Sequence, residues 1–467
     1  MLLFQCAKII SKGYDVNRKL IISGVILIIT GAVVATGGGS VLTHFRAEND
    51  VAFTDIHNAE LIKRGEYIAR ASDCVACHTP PGEAPYSGGL AMQSPVGTIY
   101  STNITPDKHH GIGNYSYADF RNAVKLGIRK DGTPLYPAMP FPSYQIIPDK
   151  DIEAMYAYFM TSVPASDKVI PPPAIPWPLN MRWPMAWWQF FFSREREFVP
   201  PRNASDQLSR GAYLVEGPEH CGACHTPRNI FFQEKAMSMS GDNSYLSGAV
   251  MEGWYAKSLR GDDTGLGKWS QAETEDFLKT GRTANSAAYG MMAPIIEHST
   301  RFLSDEDIRS MAVYLKSLPP VAGIQVRKQK ADKTTTVLDN GSYLSDRGAV
   351  IYKEYCSVCH RSNGNGVERI FPALNGNTSV ITRDPSSVIQ ITLTGGKMPE
   401  NDKDLMTFAM PGFSRLSDED VASVTTFIRQ GWGNDAQAVS PEDVAKMREI
   451  ILSKDADIKT DAQGDRP

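Results

Sequence analysis

Cysteine is scarce in this 467-residue sequence, and nearly all of it belongs to one repeated pattern. The chain has seven cysteines, and six of them lie in three copies of the motif Cys-x-x-Cys-His. Only Cys6 remains, shortly before an apolar segment. No cysteine pair is left for a structural disulfide. A hydrophobic content of 42% is typical of globular domains with their own cores.

The sequence also lacks an excess of charge of either sign. It has 48 basic and 52 acidic side chains, and its net charge is −4. Because nucleic-acid binding usually needs a strongly basic surface, we expect no nucleic acid among the partners. No Ser-His-Asp set, phosphate-binding loop or paired-carboxylate site stands out, so the side chains alone indicate no catalytic centre.

The motif Cys-x-x-Cys-His is the signature of covalent haem c attachment. Two thiols three residues apart lie on one side of a helical turn, where each can form a thioether with the same porphyrin, and the adjacent histidine supplies the proximal nitrogen to the iron. A zinc ribbon would pair two such motifs at short separation, whereas these lie in different thirds of the chain. A thioredoxin-like redox motif would not need the histidine. The sequence therefore predicts three haem c groups, held by Cys74, Cys77, His78, Cys221, Cys224, His225, Cys356, Cys359 and His360.

The surroundings of the three motifs indicate an internal repeat. An Arg-Gly pair precedes each motif, at Arg64, Arg210 and Arg347. A second helix is expected after each motif: one over 149–163, and two that begin with a capping-box-like sequence at Ser304 and Ser417. Two helices around a haem resemble the small class I cytochrome c fold. The predicted fold class is mainly α, with three tandem class I cytochrome c domains behind one N-terminal transmembrane helix.

The predicted domain boundaries follow from these repeats and from shifts in composition. They are 1–50 for a cytoplasmic leader and anchor, 51–165 for the first domain, 166–203 for a linker rich in proline and aromatic residues, 204–320 for the second domain, 321–343 for a polar linker, 344–434 for the third domain and 435–467 for a polar C-terminal tail.

A long apolar run occurs only near the N-terminus, over 20–35, and Lys8, Lys12, Arg18 and Lys19 precede it. Basic residues on this side place it in the cytoplasm and direct the remainder outward. In bacteria haem c is attached outside the cytoplasmic membrane, which agrees with this orientation. We predict a retained anchor in the inner membrane with the haem domains on the periplasmic side. Cleavage after Ala35 as a signal peptide is the alternative.

The linker over 166–203 is unusually aromatic. Such a cluster could lie in a membrane interface, where aromatic side chains concentrate, or it could be buried between domains or against a partner subunit. Its aromatic residues include Trp177, Trp183, Trp187, Trp188, Phe190, Phe191 and Phe192.

A haem in an electron carrier usually has a methionine opposite its histidine. The ligand should lie on a loop shortly before the last helix of its domain, and a following proline stiffens that loop. This predicts Met139 and Met410, and Met292 in preference to Met291 because Ala293-Pro294 follows it. The competing candidates are Met92 in the first domain and Met398 or Met406 in the third. With both axial ligands filled, the haems would only transfer electrons; a domain without its methionine would indicate a haem enzyme with an open site.

Several segments resemble a known family, the triple-haem cytochrome c subunits of membrane-bound periplasmic dehydrogenases of acetic acid bacteria. The likeness is greatest to the cytochrome c subunits of quinohaemoprotein alcohol dehydrogenases, and it spans most of residues 60–434. The segments that carry it are 101–106, 111–113, 135–142, 177–179, 181–184, 221–228, 314–320 and 409–412.

The resemblance implies a role. A separate catalytic subunit, with PQQ, flavin or a molybdenum and iron–sulfur centre, would oxidise its substrate, and the cytochrome subunit would pass the electrons through its haems to ubiquinone and hold the complex on the membrane. Fructose-type relatives carry a C-terminal membrane helix, whereas this C-terminus is polar. That departure leaves alcohol and aldehyde dehydrogenases as the expected partners, with a flavin-dependent sugar or gluconate dehydrogenase as the alternative.

Overall fold

Helices dominate the chain in the computed structural model. The structure describes Gly38 and residues 55–94, 96–193, 195–321, 332–404 and 406–462. The N-terminal anchor predicted from the sequence lies outside these residues. Within the described ranges, no helix is both long and apolar enough to cross a membrane.

The first helical unit surrounds the first Cys-x-x-Cys-His motif. Its core lies between its first and last long helices and includes Ile68, Met155 and Phe159. Its elements are α1 (Ala59–Ala71), α2 (Cys74–His78), strands β1 (Ala91–Ser94) and β2 (Gly97–Tyr100), α3 (Tyr117–Arg121), a π-helical turn (Asn122–Leu126), α4 (Phe141–Tyr144) and α5 (Asp149–Thr161).

The aromatic linker is not extended throughout, because it contains helix α6 (Trp183–Phe192). The buried Gln189 side chain of α6 donates from Nε2 to the carbonyl of Gly127 at 2.8 Å. Just after the helix, Ser193 Oγ accepts a hydrogen bond from Gln145 Nε2 at 2.8 Å. The linker is therefore attached to the first unit.

The second unit repeats the arrangement of the first. Its core includes Leu214, Met311 and Tyr314. Its elements are α7 (Asp206–Glu216), α8 (Gly222–His225), strands β3 (Ala249–Met251) and β4 (Trp254–Ala256), α9 (Gln271–Thr280), α10 (Met292–His298), a 3-10 turn (Thr300–Phe302) and α11 (Asp305–Ser317).

In the third unit, too, a helix before the motif packs against a closing helix, but more helices surround this pair. Its elements are α12 (Thr334–Asp339), a 3-10 turn (Ser342–Ser345), α13 (Arg347–Ile351), a π-helical turn (Tyr352–Cys356), α14 (Ser357–His360), α15 (Ser386–Thr394), strands β5 (Gly396–Lys397) and β6 (Ala409–Met410), α16 (Asp418–Gln430) and α17 (Pro441–Ala462). Each of the three units contains one two-stranded antiparallel ribbon.

Two segments expected to lie outside the third domain belong to its core. The predicted polar linker includes α12, whose Leu338 is buried with Tyr352 and Trp432. The predicted polar tail includes α17, whose Val444 and Met447 are buried against α15 and α16. The domain boundaries themselves stay predictions. Within the predicted linker and tail, a few apolar side chains in a polar sequence are enough to attach a helix to an existing core.

The glycine of each Arg-Gly pair allows the two main helices of its unit to cross closely. A Cβ atom on Gly65 or Gly211 would lie 1.9 Å from a backbone oxygen of α5 or α11, and one on Gly348 would lie 2.3 Å from a backbone oxygen of α16. These separations are far below van der Waals contact, so only glycine fits. The glycine of the repeated Arg-Gly pair therefore marks the place where the two helices pack closely.

The arginine of each pair binds the third residue of the closing helix. The sequence predicts capping boxes here, and Ser304 and Ser417 do accept hydrogen bonds from the backbone nitrogens three residues later. The acid at that third position, however, pairs with the arginine rather than with the cap backbone. The three ion pairs are Arg64 with Asp151, Arg210 with Asp307 and Arg347 with Asp420.

Gly211→Ala tests the close crossing of α7 and α11. Helix propensity alone favours alanine over glycine by about 1 kcal/mol. The structure predicts the opposite sign, a loss of about 2–3 kcal/mol, because the methyl group meets backbone that cannot move independently. Chemical unfolding of the haem-loaded protein measures the change, with Ser209→Ala in the same helix as the control. Equal or higher stability of Gly211→Ala would contradict the close crossing.

The third unit is attached to the second through two arginines. The buried Arg282 of the second unit donates to the carbonyls of Met406 at 2.8 Å and Pro399 at 3.1 Å. From the third unit, Arg369 forms an ion pair with Asp276. The units therefore contact one another in chain order, the first with the second and the second with the third.

Candidate haem sites

Each Cys-x-x-Cys-His motif lies at a short helix, and this helix follows the one that carries the Arg-Gly pair of its unit. A residue with positive φ turns the chain before the first two motifs: Asp73 has φ 50° and His220 has φ 35°. In the third unit a π-helical turn leads from α13 into the motif instead. None of the six motif cysteines is paired in a disulfide. The local backbone therefore presents two thiols and a histidine in the same order three times.

The three motif histidines share one hydrogen-bonding arrangement. In each, ring Nδ1 donates to a backbone carbonyl, which leaves Nε2 with its lone pair for a metal. This is the tautomer and orientation that a proximal haem ligand needs. The pairs and their Nδ1–O distances are His78 with Thr102 at 2.6 Å, His225 with Lys257 at 2.7 Å and His360 with Pro372 at 2.9 Å.

A zinc centre does not fit these residues. Across the described ranges, no three His, Cys, Asp or Glu side chains converge in a way that could hold a metal ion. Each motif offers only its own two thiols and one imidazole, whereas a structural zinc site requires four ligands. The donor set fits a porphyrin that binds covalently to two thiols and takes one axial nitrogen.

Met139 and Met292 occupy equivalent turns in the first two units. The backbone nitrogen of Met139 donates to Tyr136 O at 3.4 Å, and that of Met292 donates to Tyr289 O at 3.3 Å. Met291 is 39% exposed. The shared turn supports Met292 over Met291 as the counterpart of Met139.

Met139 lies near the first motif. It packs against the same hydrophobic cluster as Cys74. Its competitor Met92 lies in strand β1, opposite Ile99 of β2. The packing therefore favours Met139 as the prediction for the first site.

The third site has a different methionine setting. Met410 lies in strand β6 opposite Gly396, and Met398 is buried next to the same two-stranded ribbon. Met406 is 63% exposed, which is unfavourable for an iron ligand. Met410 stays the prediction here, with Met398 as its nearest rival in space.

The first two candidate sites adjoin each other. Helix α10, which begins at Met292, contacts α2 of the first motif. The Tyr144 ring of the first unit lies 5.5 Å from the His220 ring, which directly precedes the second motif, and its hydroxyl donates to Ser72 O at 2.6 Å. The two motifs are thus held close to one interface.

Two tyrosines are exchanged across this interface. The Tyr67 hydroxyl of the first unit donates to Asp307 of the second at 2.6 Å, and the Tyr213 hydroxyl of the second donates to Asp151 of the first at 3.1 Å. Each tyrosine therefore binds the acid in the closing helix of the other unit. The third unit has Val350 at the corresponding position, so it takes no part in such an exchange.

Sequence reasoning missed this exchange, although a signal was present. Arg-Gly-x-Tyr occurs twice, at 64–67 and 210–213, and the third copy lacks the tyrosine. The presence of this tyrosine in the first two copies, and its absence from the third, distinguishes the first two units from the third.

Two buried acids next to the motifs were also missed. Asp73 and Glu219 are both buried, and each lies within two residues of the first cysteine of a motif. Burial raises the pKa of Glu219 to about 8, although Ser299 donates a hydrogen bond to it at 3.1 Å. Burial, together with the nearby Glu219, also raises the pKa of Asp73. Burial therefore favours the neutral form of both carboxyl groups at this interface.

Comparison with known proteins identifies relatives of this chain. Residues 345–432 match the family model described as Cytochrome c. The chain is 48% identical over 393 residues to the cytochrome c subunit of the quinone alcohol dehydrogenase of Gluconobacter oxydans, covering 83% of this chain and 82% of the relative. For the subunit of the same name from Komagataeibacter europaeus the identity is 45% over 404 residues, covering 85% and 86%. The gluconate 2-dehydrogenase cytochrome c subunit of Pantoea cypripedii is 47% identical over 401 residues, covering 84% and 91%.

Proposed function

Because the chain belongs to the family of the cytochrome c subunits of quinone-dependent alcohol dehydrogenases, we propose that it relays electrons from a catalytic subunit to ubiquinone. Its three units would each hold one haem c and act as tandem cytochrome c domains. The complex would lie on the inner membrane with the haem units on the periplasmic side. The observation that carries the proposal is the shared arrangement of His78, His225 and His360, whose Nε2 atoms are left for iron.

Haem iron supplies one-electron chemistry that no side chain here provides. The residues of the chain would orient it. The carbonyls of Thr102, Lys257 and Pro372 hold the three imidazoles. Met139, Met292 and Met410 would each supply a second protein ligand, and a thioether ligand raises the reduction potential of haem iron. The exchange of Tyr67 and Tyr213 holds the first two units in one relative position, as transfer between neighbouring haems requires.

The partner's substrate is best tested by purifying the complex and identifying the cofactor of its catalytic subunit. We expect PQQ and an alcohol as substrate. Flavin would favour the second candidate, a gluconate or sugar dehydrogenase, which the likeness to the Pantoea cypripedii subunit supports. Molybdenum would indicate an aldehyde dehydrogenase.

The relay itself is tested by rapid mixing. Substrate should reduce the haem bands of the complex, and a soluble ubiquinone analogue should reoxidise them. Mass spectrometry of the haem-loaded chain should show three haems, and one fewer in a Cys356→Ser/Cys359→Ser variant. Full reduction by substrate without reoxidation by the quinone would contradict the proposed acceptor.

Met292→Ala addresses the alternative of a haem enzyme with an open site. If Met292 is the ligand, its removal should convert the middle haem from low spin to high spin, which the visible and near-infrared spectra report. Met291→Ala is the matched control and should leave the spectra unchanged. An unchanged Met292→Ala spectrum together with an altered Met291→Ala spectrum would reverse the assignment, and no change in either would favour an open middle site.

A further inference from the structure

Helix α6 presents an apolar surface to the outside. None of its ten residues is charged. The side chain of Gln189 points inward, and its Nε2 donates a hydrogen bond to the carbonyl oxygen of Gly127 at 2.8 Å. On the opposite side, Phe190 is 45% and Phe191 is 58% exposed. Exposed aromatic residues on a helix whose polar side chain faces the protein need a covering surface.

A loop of the second unit continues this surface. The indole Nε1 of Trp188 donates to Phe231 O at 2.7 Å, and the rings of Phe192 and Phe231 stack with their centroids 5.1 Å apart. Ile230 and Phe232 on this loop are exposed as well. The two segments form one surface, called here the aromatic face, made of Trp187, Phe190, Phe191, Ile230, Phe231 and Phe232.

The described part of the N-terminal segment lies against this face. A Cβ atom built on Gly38 would be 2.9 Å from Cζ2 of Trp187, so the Gly38 backbone contacts that indole ring. In the sequence, Gly38 follows the apolar run over 20–35 by three residues. Gly38, which follows the segment expected to enter the membrane, therefore lies beside the aromatic face.

We propose that the aromatic face is buried in the interfacial layer of the lipid bilayer. This proposal rests on the proposed membrane-bound function and names the surface that meets the lipid. Tryptophan concentrates at the headgroup level, and phenylalanine and isoleucine enter the boundary with the acyl chains. A protein partner would instead need hydrogen bonds across the interface, and five of the six side chains of the face have no polar atom.

Lipid photolabelling of the intact complex tests the proposal. The full-length, haem-loaded complex is reconstituted into vesicles of phosphatidylethanolamine and phosphatidylglycerol that carry a diazirine on the acyl chain. After irradiation, we expect labelled peptides from 183–192 and 229–234. Labels confined to the N-terminal segment, with none on these two peptides, would overturn the proposal, because the face would then be covered by protein.

Introducing negative charge into the face measures its contribution to membrane attachment. A protease site placed within 47–52 allows the N-terminal segment to be cut off after assembly. The cleaved protein should remain on the vesicles, and Phe190→Glu/Phe191→Glu should weaken its binding by about tenfold or more, because two buried aromatic side chains are lost from the interface. Ile230→Glu/Phe232→Glu should act in the same direction.

Leu344→Glu/Leu452→Glu is the matched control, since it changes two exposed apolar residues of the third unit. Release of the cleaved parent protein from the vesicles, or equal binding of the face and control variants, would overturn the proposal. Haem content and reduction by substrate are measured on every variant. If these fail in the parent protein while labelling of the face is normal, the proposed electron relay is wrong and the membrane surface stands.

Discussion

Asp307→Ala should destabilise the paired first and second units by about 2–3 kcal/mol, because it removes the buried acid of an ion pair whose arginine, Arg210, is 38% exposed. The Asp307 side chain is 9% exposed and accepts from Arg210 Nε at 2.7 Å, Arg210 Nη2 at 2.7 Å and the Tyr67 hydroxyl at 2.6 Å. Its removal leaves a cation and a hydroxyl without their acceptor at the interface between the two units. Chemical unfolding followed by haem absorbance measures the loss.

The third unit provides a control for this prediction. Asp420 occupies the same position in its closing helix and binds Arg347 at 2.7 Å, but Arg347 is 66% exposed and no tyrosine joins the pair. Asp420→Ala should therefore cost at most about 1 kcal/mol, as is usual for exposed pairs. Similar losses for both variants would contradict the idea that the tyrosine exchange holds the first two units together.

The contribution of Asp307 to the free energy of unfolding should decrease at low pH. Burial by itself raises the pKa of Asp307. Hydrogen bonds from Arg210 and Tyr67 outweigh this effect and hold the pKa below the ordinary value of 3.8. An acid whose pKa is lowered by folding stabilises the folded state at all pH values above its unfolded pKa. The difference between the parent protein and Asp307→Ala should be constant above about pH 5 and shrink as the pH falls below 4.

Met139→Ala should lower the reduction potential of one haem by on the order of 0.1 V, within the range of about 0.8 V over which axial ligands tune haem. The thioether favours ferrous iron, so its loss stabilises the ferric form. The first haem should also become high spin and bind external ligands such as imidazole. Potentiometric titration followed by visible spectroscopy measures both changes.

Met92→Ala is the control for Met139→Ala, since Met92 is the other candidate of the first unit and lies in strand β1. It should leave all three potentials unchanged. A shift on removing Met92 and none on removing Met139 would show that the ribbon, rather than the turn after Tyr136, supplies the ligand.

Local features of the fold could be derived from the sequence because they depend on neighbouring residues. The closing helices begin where Ser304 and Ser417 cap them, and the first one covers Asp149–Thr161, close to the expected 149–163. The three motifs follow a helix in each unit, as expected. The helices α12 and α17 escaped prediction because their sequences are mostly polar, and the few apolar residues that attach them are recognisable only once the core that receives them is known.

The candidate sites divide in the same way. The cysteines and histidines are marked by spacing alone, whereas Met291 and Met292 are neighbours that a sequence cannot separate. Their distinction came from the shared turn with Met139 and from the exposure of Met291. Asp73 and Glu219 carry no sequence signature, because their unusual character comes from burial between two units.

The sequence by itself determined the cofactor chemistry expected of this protein and its number of repeats, because covalent haem attachment is written in five consecutive residues. Only the tertiary structure decided how the repeats are related. Tyr67 and Tyr213 lie far apart in the chain, and they join the first two units through acids of the opposite unit, whereas the third unit is attached through Arg282 and Arg369. Such contacts depend on which helix faces which across an interface, and no local pattern encodes that.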